Sequence, residues 1–183
     1  MTSRIFTVPN QITFIRLGFL PFFLICILYG RYNWALAVLV AAGLSDGLDG
    51  LLARRLNQKT ALGAYLDPIA DKLLLSSSFF ALALKAKIHW WLTILVLSRD
   101  VMILTAAVVI LVVSGYRPFP PSLYGKLTTA VQILFVFLVV FLAAFPHPAL
   151  EQHRRLFEYI VAGFTVVSGF HYSVVIARRL HSS

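Results

Sequence analysis

Apolar residues in this chain do not alternate, and they do not form one-sided stripes. They come in long blocks separated by short polar breaks. Six blocks stand out: Thr13–Tyr29, Asn33–Ala53, Leu62–Leu84, Trp90–Ser114, Lys126–Phe145 and Phe157–Ala177. At a helical rise of about 1.5 Å per residue, each is long enough to cross a hydrocarbon core of about 30 Å. A helix apolar on every side gains nothing from facing water. The pattern therefore predicts an all-α, polytopic membrane protein with six transmembrane helices. Short connections predict antiparallel neighbours, and the absence of linkers or repeats predicts a single domain over residues 1–183. A soluble all-α protein would need polar helix faces that these blocks lack.

Composition agrees with this reading. Sixty per cent of the residues are hydrophobic and 13% are charged, and the mean hydropathy is +0.85. The formal charge of +9 suits a chain that meets anionic lipid and anionic substrates. The basic residues cluster at the ends of the apolar blocks, which argues against nucleic-acid binding. Arg4, Arg16, Arg54, Arg55, Lys59, Arg117, Lys126, Arg178 and Arg179 fall on one side, and Arg31, Lys85, Lys87, Arg154 and Arg155 on the other. The excess on the first side predicts that both termini are cytoplasmic. Trp34, Trp90 and Trp91 then lie at the outer interface. The lone Cys26 sits inside the first block and reads as a small core hydrophobe. No cleavable signal peptide is expected, because the first block is too long for one.

The chemistry concentrates between Asp46 and Asp71. Only seven residues of the chain are acidic, and four of them, Asp46, Asp49, Asp67 and Asp71, lie here. The first two are three apart and the last two four apart, so each pair shares a helix face. Gly43, Gly47 and Gly50 recur at helical spacing, which allows close helix packing or room for a flat ligand. Pro68 either kinks the third helix or marks its first turn. Asp49 is five residues before Arg54, a depth at which a lipid head group and cytosolic solutes meet.

Four ionised carboxylates on adjacent helices would repel one another strongly at low dielectric. Two explanations remain open. The carboxylates are largely protonated, as in a proton or cation pathway of a transporter, or divalent cations neutralise them. All-carboxylate sites suit Mg²⁺ or Mn²⁺. Four such ligands for two ions suit phosphoryl transfer, with Arg54 and nearby cations on phosphate oxygens.

Other features are weaker. Pro9 precedes Asn10, a candidate N-cap for the first helix, and Asn10, Thr13 and Arg16 share one face. Arg99 and Asp100 are adjacent at membrane depth, where ionisable residues are costly. Being adjacent they point to different faces, so each is expected to pair with a neighbouring helix or to contact a ligand. His147 and His153 fall in an outer loop and His171 in the sixth block. None has metal-ligand spacing with another, and all three read as structural.

Asp46-x2-Asp49-Gly50-x2-Ala53-Arg54-x8-Gly63-x3-Asp67-x3-Asp71 matches the signature of the CDP-alcohol phosphotransferase family at every fixed position. The six blocks agree with that family's architecture, so the resemblance covers nearly the whole chain. The opening Pro-Asn-x2-Thr-x2-Arg and the motifs LDPIADKLL and GKLTTAVQ resemble the branch of phosphatidylglycerophosphate synthases and eukaryotic-type cardiolipin synthases. In Ser98-Arg99-Asp100 the acidic residue is Asp, as in the cardiolipin synthases, where phosphatidylglycerophosphate synthases more often have Glu.

The resemblance implies an enzyme of phospholipid biosynthesis with its active site at the cytoplasmic membrane interface. Asp46, Asp49, Asp67 and Asp71 would hold two Mg²⁺ or Mn²⁺ ions, and Asp71 would also act as general base. Asn10, Thr13, Arg16, Gly50, Ala53, Arg54 and Gly63 would bind CDP-diacylglycerol. Arg99, Arg117 and Lys126 are assigned to the acceptor phosphate. Three cations suit sn-glycerol 3-phosphate, with phosphatidylglycerol as the alternative acceptor. The resemblance further implies a homodimer in the inner membrane. A transporter lined by the aspartates and a non-catalytic lipid-binding scaffold are the readings from other classes.

Overall fold

The computed structural model describes residues 8–55, 61–114 and 123–180, and the side chains of 17–45, 71–105 and 123–174. It is all-helical there: α1 Val8–Leu28, α2 Tyr32–Arg55, α3 Ala61–Leu84, α4 Trp90–Ser114, α5 Leu123–Ala144 and α6 Pro148–Leu180. Each expected block is one helix. Among the described residues, α5 is the helix long and apolar enough by itself to cross a membrane, and Leu17–Leu28 and Tyr32–Ser45 form shorter apolar helical stretches.

The boundaries depart from expectation at three places. α1 begins at Val8, so Asn10 lies in its first turn and is not the cap. Pro9 causes no break there, because a first-turn N–H has no helical partner to lose. Pro68 lies seven residues inside α3, so it does not mark the first turn. α6 begins at Pro148, and its 33 residues take in the polar Glu151–Arg155 stretch. Glu151 favours the positive end of the helix, and it bridges Arg154 at 3.0 Å. His153 is therefore helical, with its Nδ1 2.8 Å from the Ala149 carbonyl.

Two turns close in the same way. After α1, Arg31 N–H donates to Cys26 O (2.8 Å) and Gly30 N–H to Ile27 O (3.1 Å). After α3, Lys87 N–H donates to Leu82 O (2.9 Å) and Ala86 N–H to Ala83 O (2.9 Å). Both are Schellman ends, which need a left-handed residue at the bend. Gly30 supplies it at φ 70°, and Ala86 takes it at φ 52° despite its Cβ.

The chain divides into two compact units, residues 1–87 with 139–146, and residues 88–138 with 147–183. In the first, α1 packs on α2 and on α3. Phe23, Ile27, Ala35, Ala42, Phe79 and Leu82 are buried in this unit. In the second, α4 packs on α6. Leu92, Val96, Phe135, Val136 and Val161 are buried there, but so are Arg99, Asp100, Gln132, Glu158 and Ser168.

Candidate functional site

The first unit carries the acidic stretch. Asp46 and Asp49 lie on α2, nine and six residues before its end at Arg55. Asp67 and Asp71 lie on α3, six and ten residues after its start at Ala61. Counted along their helices, Asp49 and Asp67 are about 9 Å from the ends joined by residues 56–60, and Asp46 and Asp71 about 14–15 Å. Along the two helices, the four positions thus fall at matched distances from those ends. Asp71 is exposed. The backbones of Asn10, Thr13, Arg16, Gly50, Ala53, Arg54 and Gly63 are helical. Their side chains, and those of Asp46, Asp49 and Asp67, lie outside the described residues, as does all of Arg117. An all-oxygen donor set on two helices fits Mg²⁺ or Mn²⁺ in kind. Among the described residues, no cluster of three His, Cys, Asp or Glu side chains forms.

The second unit is organised by α4 and α6, which run side by side in one direction. His89 Nδ1 meets Glu158 Oε2 at 2.6 Å, Arg99 Nη2 donates to Ser168 Oγ at 2.7 Å, and Ser173 Oγ meets Met102 Sδ at 3.6 Å. The partners advance in the same sense along both helices, which fixes a parallel register. Close packing accompanies it, since a Cβ added at Gly169 would lie 3.7 Å from Met102 Cε and 3.9 Å from Arg99 Cγ.

Arg99 and Asp100 are both buried and pair with each other, Nη1 to Oδ1, at 2.8 Å. The sequence reading placed them on different faces, with partners on neighbouring helices. The helix does separate them, by about 100°. The long Arg side chain folds back across that angle, and Ser168 of α6 accepts from its other terminal nitrogen. The Tyr172 ring centre lies 5.8 Å from the guanidinium carbon, and Nε is buried without a hydrogen-bond partner among the described residues.

α5 runs against α6 in the opposite sense. Tyr124 packs on His171 with ring centroids 4.8 Å apart. Thr128 Oγ1 donates to Phe164 O at 3.1 Å, and Gln132 Nε2 to Thr165 Oγ1 at 3.1 Å. Residues 164–172 of α6 thus flank Arg99 on one side and the first turns of α5 on the other. Lys126, exposed in that first turn, is at the level of Arg99.

Sequence reasoning missed Ser168, Gln132, Thr165 and the His89–Glu158 pair. Thr165, Ser168 and Tyr172 recur at three and four residues on α6, and Thr128 and Gln132 at four on α5. Such polar stripes within apolar blocks are the signal that was present. Of the histidines outside this set, His171 packs on Tyr124, His153 bonds its own helix, and the His147 carbonyl accepts the Leu150 and Glu151 N–H groups.

The family model for CDP-alcohol phosphatidyltransferase matches residues 6–170. A Streptomyces coelicolor protein named cardiolipin synthase (CMP-forming) is 38% identical over 148 residues, covering 78% of this chain and 68% of that protein. A putative cardiolipin synthase of Mycobacterium bovis is 36% identical over 160 residues, covering 87% of this chain and 72% of that protein. A probable phosphatidylglycerophosphate synthase of Mycobacterium tuberculosis is 38% identical over 144 residues, covering 75% of this chain and 68% of that protein.

Proposed function

Because the chain belongs to the CDP-alcohol phosphatidyltransferase family, we propose that it transfers the phosphatidyl group of CDP-diacylglycerol to a glycerol-type hydroxyl and releases CMP. The acceptor hydroxyl oxygen attacks the phosphorus bearing diacylglycerol. The bond from that phosphorus to the CMP oxygen breaks, and CMP leaves with the electron pair. Asp71 takes the hydroxyl proton, a role its exposure on α3 permits. Two Mg²⁺ or Mn²⁺ ions held by Asp46, Asp49, Asp67 and Asp71 would neutralise the pyrophosphate. Asn10, Thr13, Arg16, Gly50, Ala53, Arg54 and Gly63 hold the donor. We place this chemistry in one catalytic domain of a homodimer in the inner membrane, with six spans and cytoplasmic termini.

Two acceptors fit this scheme, and the observation that weighs between them is the Arg99–Asp100 pair. A glycerol 3-phosphate monoester carries close to two negative charges. A phosphatidylglycerol diester carries one. Asp100 offsets most of the Arg99 charge, which leaves Lys126 as the cation of this level for which the partner is the acceptor. That balance favours phosphatidylglycerol and therefore CMP-forming cardiolipin synthesis. Relatives of that name are consistent with it. The sequence expectation, glycerol 3-phosphate giving phosphatidylglycerophosphate, stays as the second reading. It is supported by the shared level of Arg99 and Lys126, with Arg117 in the preceding segment, and by the mycobacterial relative.

The deciding experiment gives purified protein CDP-diacylglycerol with each acceptor in turn and follows CMP release. Release with phosphatidylglycerol and not with glycerol 3-phosphate supports the first reading, and the converse supports the second. No release with any alcohol would remove the enzymatic reading. Substrate flux into proteoliposomes would then favour a transporter.

A further inference from the structure

The first unit has a second cationic feature, at the end of the α1–α2 hairpin away from the aspartates. Tyr32 precedes Asp46 by fourteen residues on α2, about 21 Å along the axis. Here Gly30, Arg31, Tyr32, Asn33 and Trp34 line a cleft of 310 Å³ with Ala143 and Ala144. Arg31 and Trp34 also line a second cavity of 280 Å³, whose other walls are Phe22 and Cys26. The first is a polar pocket beside a guanidinium, and the second is an apolar slot on the helix surface. Arg31 stands where they meet.

The charges around this place have one sign. Arg31 is exposed and makes no ion pair among the described residues. Lys87 Nζ lies 5.1 Å from the centre of the Tyr32 ring, so a second cation flanks the same wall. The first unit has acidic residues only between positions 46 and 71, and none falls in the α1–α2 turn or the α3–α4 turn. Tyr29, 79% exposed, and Trp34, 64% exposed, are aromatic groups of the kind that sit at head-group level.

We propose that Arg31 and Trp34 form a binding site for one anionic phospholipid, separate from the donor and acceptor sites. The Arg31 guanidinium takes the lipid phosphate, and an acyl chain lies along Phe22, Cys26 and Trp34. The apolar slot is what selects a lipid over a free phosphate ion, which would leave it uncovered. An Arg that merely reaches to the interface would also attract anionic head groups, but it would hold no acyl chain against Trp34. On the six-span reading, the site faces the leaflet opposite the catalytic carboxylates.

The test makes Trp34 the only reporter by replacing Trp90 and Trp91 with Phe. The protein is reconstituted with phosphatidylcholine and with phosphatidylserine carrying brominated acyl chains. Phosphatidylserine is neither donor, acceptor nor product under either acceptor reading. Quenching of Trp34 should show about fivefold preference for phosphatidylserine, the size of one cation–lipid attraction at a membrane surface. Arg31→Gln should reduce the preference to about one, and Arg31→Lys should keep most of it. Inorganic phosphate at matched ionic strength should leave it unchanged. Equal quenching by both lipids, or a preference that survives Arg31→Gln, would overturn the proposal. A preference erased by inorganic phosphate would overturn it too, in favour of a free-anion site.

Discussion

Arg99 and Asp100, consecutive residues of α4, are both buried and bonded to each other at 2.8 Å. Within a low dielectric, the pair neutralises two charges that would otherwise each be costly. Removing one partner leaves the other uncompensated. Asp100→Asn should destabilise the fold by about 3–5 kcal/mol. Arg99→Met with Asp100→Leu should lose less than that single change. Thermal melts of the purified variants in one detergent check both. Equal melting temperatures for wild type and Asp100→Asn would show that the pair contributes nothing to stability.

Ala86 gives an opposite prediction. It holds after α3 the left-handed bend that Gly30 holds after α1. A Cβ in that conformation costs roughly 1–2 kcal/mol. Ala86→Gly relieves it and gives back some flexibility of the unfolded chain. The expected outcome is a small rise in melting temperature, and Gly30→Ala should lower it.

The proposed reading, with divalent cations on the four aspartates, carries a direct test. A chelator should abolish CMP release, and Mg²⁺ or Mn²⁺ should restore it. Full turnover in metal-free buffer would leave protonated carboxylates as the explanation for four aspartates in one stretch.

Asp71→Asn keeps the size of the side chain and removes its capacity to accept a proton. Turnover should fall roughly 10²–10⁴-fold, the usual contribution of general acid–base catalysis. CDP-diacylglycerol binding, measured alongside, separates loss of the base from loss of a metal ligand. Near-normal turnover would place the base elsewhere.

Lys126 tests the acceptor side. Lys126→Ala should raise KM for the acceptor, whichever one the CMP assay identifies, far more than KM for CDP-diacylglycerol. A matched rise in both would mean that Lys126 contacts the donor.

The helices and the spacing of the carboxylates can be read from the sequence alone. Both are local properties. A block apolar on every side and about twenty residues long has one good conformation in lipid, because only a helix satisfies its backbone internally. Helical periodicity then aligns Asp46 with Asp49 and Asp67 with Asp71, whatever surrounds them. Only the tertiary structure decided that Arg99 answers to Asp100 and Ser168, that α4 and α6 run in parallel register, and that Lys126 shares a level with Arg99. Ser168 is 69 residues from Arg99, and nothing in either local sequence encodes that distance. The register between two apolar helices is set by how side chains interlock, here around Gly169 and Met102, and by the few buried polar groups that must find partners. Ala86 differs: it is exposed, and its left-handed bend is held by the backbone hydrogen bonds that close α3, against the preference of a residue with a Cβ.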